Sequence, residues 1–362
     1  MKQRRVLVIY PTIRGGIRRE IDYIRQAWRT ADEVPPHLLI DARGQGSAFL
    51  SPLYLIGGLF TALKEILLGR VAVMYINMSI GASTFRKGCF MALAALTRTP
   101  AILHLHSGRY GYYFEELPGP AKAVVRAIFR NAVKVVVLGE IWKTFVVEQI
   151  GIDPAKIVVM PNAVPAPTNG VRRDKETCKL LFLGWLSPDK GIPELLNALA
   201  DPRIVALDWH CVLAGADPRV ADGRISEYRQ RVKELDLRGR VEIPGWVDYD
   251  QVHKLLAESN VTVLPSHFEG LPMTVLEGMA YHHAIVTTPV GVLPEIIEHE
   301  KSGILNPVGD ESALADSLYR IIGDADFRIR LGDAAHETFL ERLEITPYTK
   351  KLHALFRECG LK

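Results

Sequence analysis

Short runs of β-branched and apolar residues recur along this chain, each parted from the next by a stretch with helical spacing, and that alternation restricts the fold more than any other feature. Six runs fall in the first 160 residues: "RVLVIY", "HLLID", "VAVMYI", "AILHLH", "VKVVVL" and "KIVVMP". A strand that reaches its neighbour through a helix lies parallel to it, and a parallel strand covered on both faces reads as a continuous apolar run. Between the first two runs Ile17, Ile21, Ile24 and Trp28 recur at helical spacing, with Arg18, Arg19, Arg25 and Arg29 among the polar positions, which predicts an amphipathic helix. The segment "PNAVPAPTNGVRRDKET" then brings three prolines, a glycine and a charge run without periodicity, the pattern of a linker. Past it the alternation restarts with "KLLFLGWL", "WHCVLAGA", "RVEIPGW", "VTVLPS" and "AIVTTP", with helical stretches at Ile225 to Leu235 and Tyr249 to Glu258. At 362 residues the chain exceeds what one core comfortably serves. The expectation is therefore α/β, with two Rossmann-like doubly wound domains, residues 1–165 and 166–344, facing a cleft with their strand ends toward it.

Charge and cysteine usage exclude several classes. Lys and Arg number 44 against 41 Asp and Glu, a net +3, far from the basic excess of a protein that coats nucleic acid. The four cysteines, Cys89, Cys178, Cys211 and Cys359, form no C-x-x-C pair, so neither a disulfide framework nor a zinc site is expected, and a reducing cytoplasm suits them. The opening "MKQRRVLVIYP" has an apolar run of five residues, too short for a signal peptide. The longest apolar run, Leu53 to Leu63, falls short of the roughly 20 residues a membrane span needs. A cytoplasmic location follows as an expectation.

The stretch "HFEGLPMTVLEGMAYHH" reads most like chemistry. Pro272 suits the first turn of a helix, where its missing N–H would be unpaired anyway, and Met273 to Tyr281 supply that helix. Amides around Leu271 to Val275, including those of Met273 and Thr274, together with the positive helix end make a place for an anion such as a diphosphate, and Gly270 lets the backbone come close. Carboxylates accept well from hydroxyls, so Glu269 and Glu277 would grip sugars flanking the phosphates. On the residues alone a second reading stands beside this one: Glu277 a solvated helix carboxylate and Glu269 a partner of the helix dipole.

These residues carry a family resemblance. "SHFEGLPMTVLEGMA" resembles the E-x7-E signature of retaining family 4 glycosyltransferases of the GT-B fold. In order along the chain, "RGGIRRE" resembles their amino-terminal glycine loop, "MPNAV" their P-N-G-V stretch, "LGWLSPDKG" their G-R-L-x-x-x-K-G motif and "VGVLPEII" their G-G-x-P-E-I-I segment. The resemblance implies that Glu277 binds the nucleotide ribose and Glu269 the donor sugar near the reacting carbon. It places Lys190 on the diphosphate, Gly15 and Gly16 beside it from the other domain, and Asn162 among the donor-binding residues. It implies transfer from a nucleotide sugar with retention, no cofactor and no bound metal. The first domain becomes the acceptor side and the second the nucleotide-sugar side, domain closure forms the site, and a final helix around Thr346 to Cys359, within residues 345–362, crosses back to the first domain.

Three positions depart from the family pattern. Trp185 stands where an arginine is usual beside Lys190, and Arg14 or Arg18, next to the glycine loop, is expected to supply the second charge. His283 stands where glycine is usual, and Gly139 where serine is. In "LHLHSGRYGYYFEEL" strand alternation puts His104 and His106 on one face; His106, last before the turn, resembles the family's donor-sugar histidine, and His104 reads as structural. Arg109, Tyr110, Tyr112 and Tyr113 suit a sugar face or an acceptor phosphate, or else a packed loop.

Lys122, Arg126, Arg130 and Lys134 are spaced by four and read as one basic helix stripe, either lying on an anionic membrane or forming the solvated outer face of a βαβ helix. The triplets "DYD" at Asp248 and "DAD" at Asp324 read as a helix cap and a helix connector, not as a metal site. The expected protein is a cytoplasmic transferase, peripheral on the inner membrane face if the basic stripe meets lipid, moving a sugar from a nucleotide-diphosphate donor to a saccharide or lipid-linked saccharide in bacterial surface polysaccharide assembly. A nucleotide-sugar epimerase of the same fold and an inactive sugar-nucleotide-binding protein are the alternatives. A dinucleotide dehydrogenase is disfavoured because "RGGIRRE" lacks G-x-G-x-x-G spacing.

Overall fold

The structure, a computed structural model, describes residues 4–12, 15–31, 33–44, 48–167, 177–217 and 219–361. The chain divides into two compact units, Met1–Ala163 with Ile345–Lys362, and Val164–Glu344. Arg14 and residues 168–176 of the expected linker lie outside the described residues.

The first unit is built on strands β1 (Arg5–Tyr10), β2 (His37–Asp41), β3 (Val71–Met78), β4 (Ala101–Leu105), β5 (Lys134–Val137) and β6 (Ile157–Val159), all parallel in the order β2-β1-β3-β4-β5-β6. Val6 to Ile9 and Val73 to Ile76 are buried throughout, as runs covered by helices on both faces require. The helix Gly16–Thr30 follows β1 and buries Ile21, Ile24 and Trp28 as its spacing predicts, but it also buries Glu20. The helix Ile345–Glu358 packs on it and belongs to this unit.

The second unit repeats the plan. Strands β7 (Cys178–Leu183), β8 (Trp209–Ala214), β9 (Val241–Gly245), β10 (Val261–Leu264), β11 (Ala284–Thr287) and β12 (Ile304–Leu305) form a parallel sheet ordered β12-β11-β10-β7-β8-β9. All eleven expected runs are strands; β12, two residues long, carries too little pattern to be read in advance. In this sheet the chain moves outward from β7 to β8 and β9 on one side, and from β10 to β11 and β12 on the other. The loops after β7 and β10 thus diverge at a topological switch point, where open α/β sheets leave a crevice outside the strand ends.

Several local expectations change. Lys134 is not on the helix with Lys122, Arg126 and Arg130: that helix is Gly119–Arg130, Asn131 closes it, and Lys134 opens β5 and pairs with Glu358 at 2.9 Å. Asp248 and Asp324 cap the helices Tyr249–Glu258 and Ala325–Arg342, accepting from the amides of Gln251 and Phe327. His283 is a core residue, with Nδ1 against Thr262 Oγ1 and Nε2 against the Leu256 carbonyl, and burial depresses its pKa to about 4.

Candidate active site

In the second unit the switch point brings the E-x7-E stretch to the loop after β7. The helix is Met273–Ala280; Pro272 is its N-cap in extended conformation rather than its first helical residue, and its carbonyl accepts from Val275 N–H at 3.1 Å. The amides of Met273 and Thr274 therefore have no carbonyl a turn earlier to meet. Thr274 Oγ1 donates to the Leu183 carbonyl at 2.8 Å, fastening the helix start to the end of β7. Every residue of this helix is buried, and Glu277 is 2% exposed, which removes the reading of a solvated carboxylate.

Lys190 closes a short 3-10 turn after β7, and its Nζ lies 2.6 Å from Glu269 Oε1, which also accepts from Ser266 Oγ at 2.8 Å. Glu269 thus pairs with a cation from the neighbouring loop instead of sitting by the helix dipole alone. Gly291, at φ +56°, explains the path of the Glu269–Gly270 backbone: a methyl group there would stand 2.3 Å from the Glu269 carbonyl oxygen and 2.4 Å from that of Gly270. Gly270 is buried and its carbonyl accepts from Val292 N–H at 2.9 Å, and Leu271 is buried as well.

Sequence reasoning missed the group beside Trp185. Arg219, from the loop after β8, places its guanidinium 5.7 Å from the Trp185 ring and 3.4 Å from Asp189, the residue before Lys190. Asp217, fully buried, holds Arg219 through two bonds at 2.8 and 2.9 Å and Arg224 through one at 3.2 Å. The Arg219 bond is the main reason the Asp217 carboxyl sits well below the usual range. The motif "DPR" after an apolar run is a weak signal, because nothing in it says that the arginine returns over a tryptophan 34 positions earlier.

In the first unit Gly15 is the N-cap of the helix Gly16–Thr30, and both glycines are exposed. Arg18 is tied to Asp22 at 3.4 Å and to the Thr12 carbonyl. Arg109 caps the helix Tyr110–Glu116, and Asn162 is buried. Tyr110 is corrected from ligand face to core: it is fully buried, edge-on to Phe129, Phe145 and Tyr113, with its hydroxyl 3.3 Å from Thr84 Oγ1, while Tyr112 is the exposed ring of that helix.

His104 and His106 share one face as strand alternation requires, with ring centroids 3.8 Å apart. Both rings are enclosed, and burial pushes His106 down to about 3 and His104 well below its ordinary value. His106 Nε2 lies 2.9 Å from Asn77 Oδ1 and its Nδ1 3.2 Å from Glu20 Oε2. Glu20, unforeseen in the sequence, is fully buried, accepts from Tyr348 Oη at 2.9 Å, and is pushed up to about 8 by that burial. Among the described residues Glu20, His104 and His106 form a close trio, with one polar atom of each inside 4.8 Å of the others.

Known proteins resemble this chain in sequence and in fold. The family model "Glycosyl transferase 4-like domain" matches residues 25–163 and "Glycosyl transferases group 1" matches residues 169–338. The chain is 25% identical over 182 residues to an alpha-D-kanosaminyltransferase of Streptomyces kanamyceticus, covering 50% of this chain and 46% of that protein; the curated relatives are thus matched over less than half their length. Among solved structures, a sucrose-phosphate synthase from Thermosynechococcus elongatus superposes with a TM-score of 0.80 at 18% identity, covering 98% of this chain and 99% of that one. Anabaena HepE in complex with UDP and glucose gives 0.74 at 18% identity, covering 98% and 100%. These likenesses establish the GT-B fold, two six-stranded parallel sheets with flanking helices. With matching models along most of its length and that fold, the chain belongs to the family 4-type glycosyltransferases.

Proposed function

We propose that this protein transfers a sugar from a nucleotide-diphosphate donor to a saccharide or lipid-linked saccharide with retention, without metal or cofactor, in surface polysaccharide assembly. The observation that carries the reading is the convergence, at one switch point, of unpaired helix amides, Lys190, Glu269 and a buried Glu277. Amides and Lys190 suit a leaving diphosphate; Glu277 suits the ribose and Glu269 the donor sugar; His106 is the donor-sugar contact of the first unit. The bond from the anomeric carbon to the diphosphate oxygen breaks, the acceptor oxygen bonds the same face, and the acceptor proton passes to the departing phosphate. Preorganised donors aimed at that growing charge are the main source of acceleration. Arg219, resting on Trp185 and held there by Asp217, is a further cation beside the Lys190 loop, as Arg18, tied to Asp22 and Thr12, is beside the glycine loop of the first unit.

A thermal-shift panel of nucleotide-diphosphate sugars tests the donor, since a ligand at 100 times its Kd adds about 2.7 kcal/mol of apparent stability. One donor class is expected to raise Tm, and transfer products are expected to keep the donor's anomeric configuration by NMR. Donor alone should stay intact; a changed sugar would instead identify an epimerase. No shift with any nucleotide sugar would end the reading.

A peripheral membrane contact is part of this proposal, and its support has moved from the basic stripe to the helix Ser51–Leu67. Leu53, Ile56, Phe60 and Leu67 are each more than 60% exposed along one face, the helix shows no exposed acid, and Lys64 is among its exposed residues. Such a face suits burial at an anionic lipid interface. No helix among the described residues is long and apolar enough to cross a membrane. The chain is expected to float with anionic vesicles and the double variant Phe60→Asp/Leu67→Asp to stay behind with unchanged circular dichroism; equal flotation of the two would remove the contact.

A further inference from the structure

The first unit contains a buried cluster of polar groups whose protonation can be worked out atom by atom. Asn77 Nδ2 donates to the Ile9 carbonyl at 3.2 Å, which fixes the amide so that Oδ1 faces His106. His106 Nε2, 2.9 Å away, must then carry the hydrogen, because Oδ1 can only accept. That leaves Nδ1 either as a bare lone pair or as the second N–H of an imidazolium. Glu20 Oε2 lies 3.2 Å from Nδ1 and makes no hydrogen bond in the structure, while Oε1 accepts from Tyr348 Oη at 2.9 Å. Tyr75, close to Tyr348, has its hydroxyl against His104 Nδ1.

Two arrangements satisfy these contacts: an imidazolium beside a carboxylate, or a neutral ring beside a neutral acid that donates to it. A carboxylate seeks several donors, and among the described residues Tyr348 donates to Glu20 while the His106 ring stands 3.2 Å from it. Glu20 and His104 are fully buried and the His106 side chain is 3% exposed, so no solvent offsets the two charges. The neutral pair needs none of that compensation.

We propose that Glu20 is a positioning residue that acts as an uncharged acid, donating from its carboxyl O–H to His106 Nδ1 and so holding the ring as the neutral Nε2–H tautomer. This rests on the reading that the donor sugar meets His106. Its value to that reaction is electrostatic: as the bond to the diphosphate breaks, the anomeric carbon gains positive character, and an imidazolium beside it would oppose that growth. A neutral ring locked by Asn77 on one nitrogen and Glu20 on the other presents a fixed, uncharged wall. The directions of the pKa shifts agree, with Glu20 raised to about 8 and His106 lowered to about 3.

The groups facing Glu20 are Tyr348 from the last helix, His106 and His104 at the end of β4, and Tyr75 on β3; a strong charge is absent from this set. The sign of the linkage follows. Glu20 is raised, so its contribution to stability is complete below its unfolded value near 4.5 and is lost as pH climbs through about 8. The two histidines are depressed and act oppositely, weakening the fold as pH falls below about 6.5. Between about 6.5 and 8 Glu20 acts alone among them.

The test compares Glu20→Gln with Glu20→Ala in the full chain. The glutamine amide donates to His106 Nδ1 as the neutral acid does, so Glu20→Gln is expected to keep kcat/KM within about fivefold, to show the same His106 tautomer by nitrogen-15 NMR at pH 7, and to lose the Glu20 share of the Tm profile, so that wild-type Tm minus variant Tm falls between pH 6.5 and 8. Glu20→Ala is expected to lose the single tautomer and more than 50-fold in kcat with little change in KM. A doubly protonated His106 in the wild type, a glutamine variant as impaired as the alanine one, or a stoichiometric metal ion retained by the purified wild type and lost from Glu20→Gln would each overturn the assignment. The NMR and Tm readouts need no substrate, so they decide the role of Glu20 even if every donor fails to turn over.

Discussion

Lys190→Ala is expected to lower kcat/KM by roughly 100- to 1,000-fold, the largest loss from any single side chain of the second unit. A cation about 4 Å from a phosphate in surroundings of effective dielectric near 20 contributes about 4 kcal/mol, and each 1.36 kcal/mol on the barrier is about tenfold in rate. Lys190 is the residue for which this figure applies, because its side chain is only 21% exposed and already sits 2.6 Å from Glu269 Oε1. The Asp189–Arg219 contact cannot replace it, since Arg219 is held by Asp217. The loss should fall mainly on kcat, because charge on the leaving diphosphate grows only as the bond breaks. Steady-state kinetics with donor affinity measured separately by calorimetry will show this; a decrease smaller than threefold would take Lys190 out of the reaction.

Gly291→Ala is expected to cost about 2–4 kcal/mol of stability, the sum of a left-handed backbone for an L residue and a steric overlap that must be relieved. Gly291 adopts φ +56°, and the added methyl group would press on the carbonyl oxygens of Glu269 and Gly270. Because those carbonyls belong to the turn that carries Glu269, donor affinity should fall with stability. Gly309→Ala is the control: it has φ +75° but open space around the new carbon, so it reports the backbone contribution alone. Denaturant unfolding of both variants separates the two effects, and equal losses would mean that the close approach at Gly291 is relaxed in solution.

The fold was legible because its strands are buried on both faces and announce themselves as uninterrupted apolar runs, whereas β12 has two residues and announces nothing. The grouping of Glu269, Pro272 and Glu277 was legible for a local reason: they lie within nine positions, and one helix start organises them. Lys134 was misplaced because a four-residue spacing continues on paper past Asn131, where the helix stops. Tyr110 stayed open between a ligand face and a packed loop because an aromatic residue after a turn looks alike in both, and burial decides for the packed one. Glu20 was hidden for the opposite reason. It lies three positions after Ile17 and four before Ile24, on the helix's apolar side, and that misplaced acid was a usable signal. Its partner Tyr348, however, stands 328 positions away, beyond what spacing can reveal.

The return of Ile345–Glu358 to the first unit also sets an order of events on the ribosome. Six strands emerge early, but the helix that covers Gly16–Thr30 and supplies the Tyr348 hydroxyl comes only after all of Val164–Glu344 has been made. At 5–20 residues per second that is a wait of about ten to forty seconds. Throughout it the nascent first unit carries an open seam beside Glu20, and a chaperone that shields apolar grooves would find its longest-lived target there.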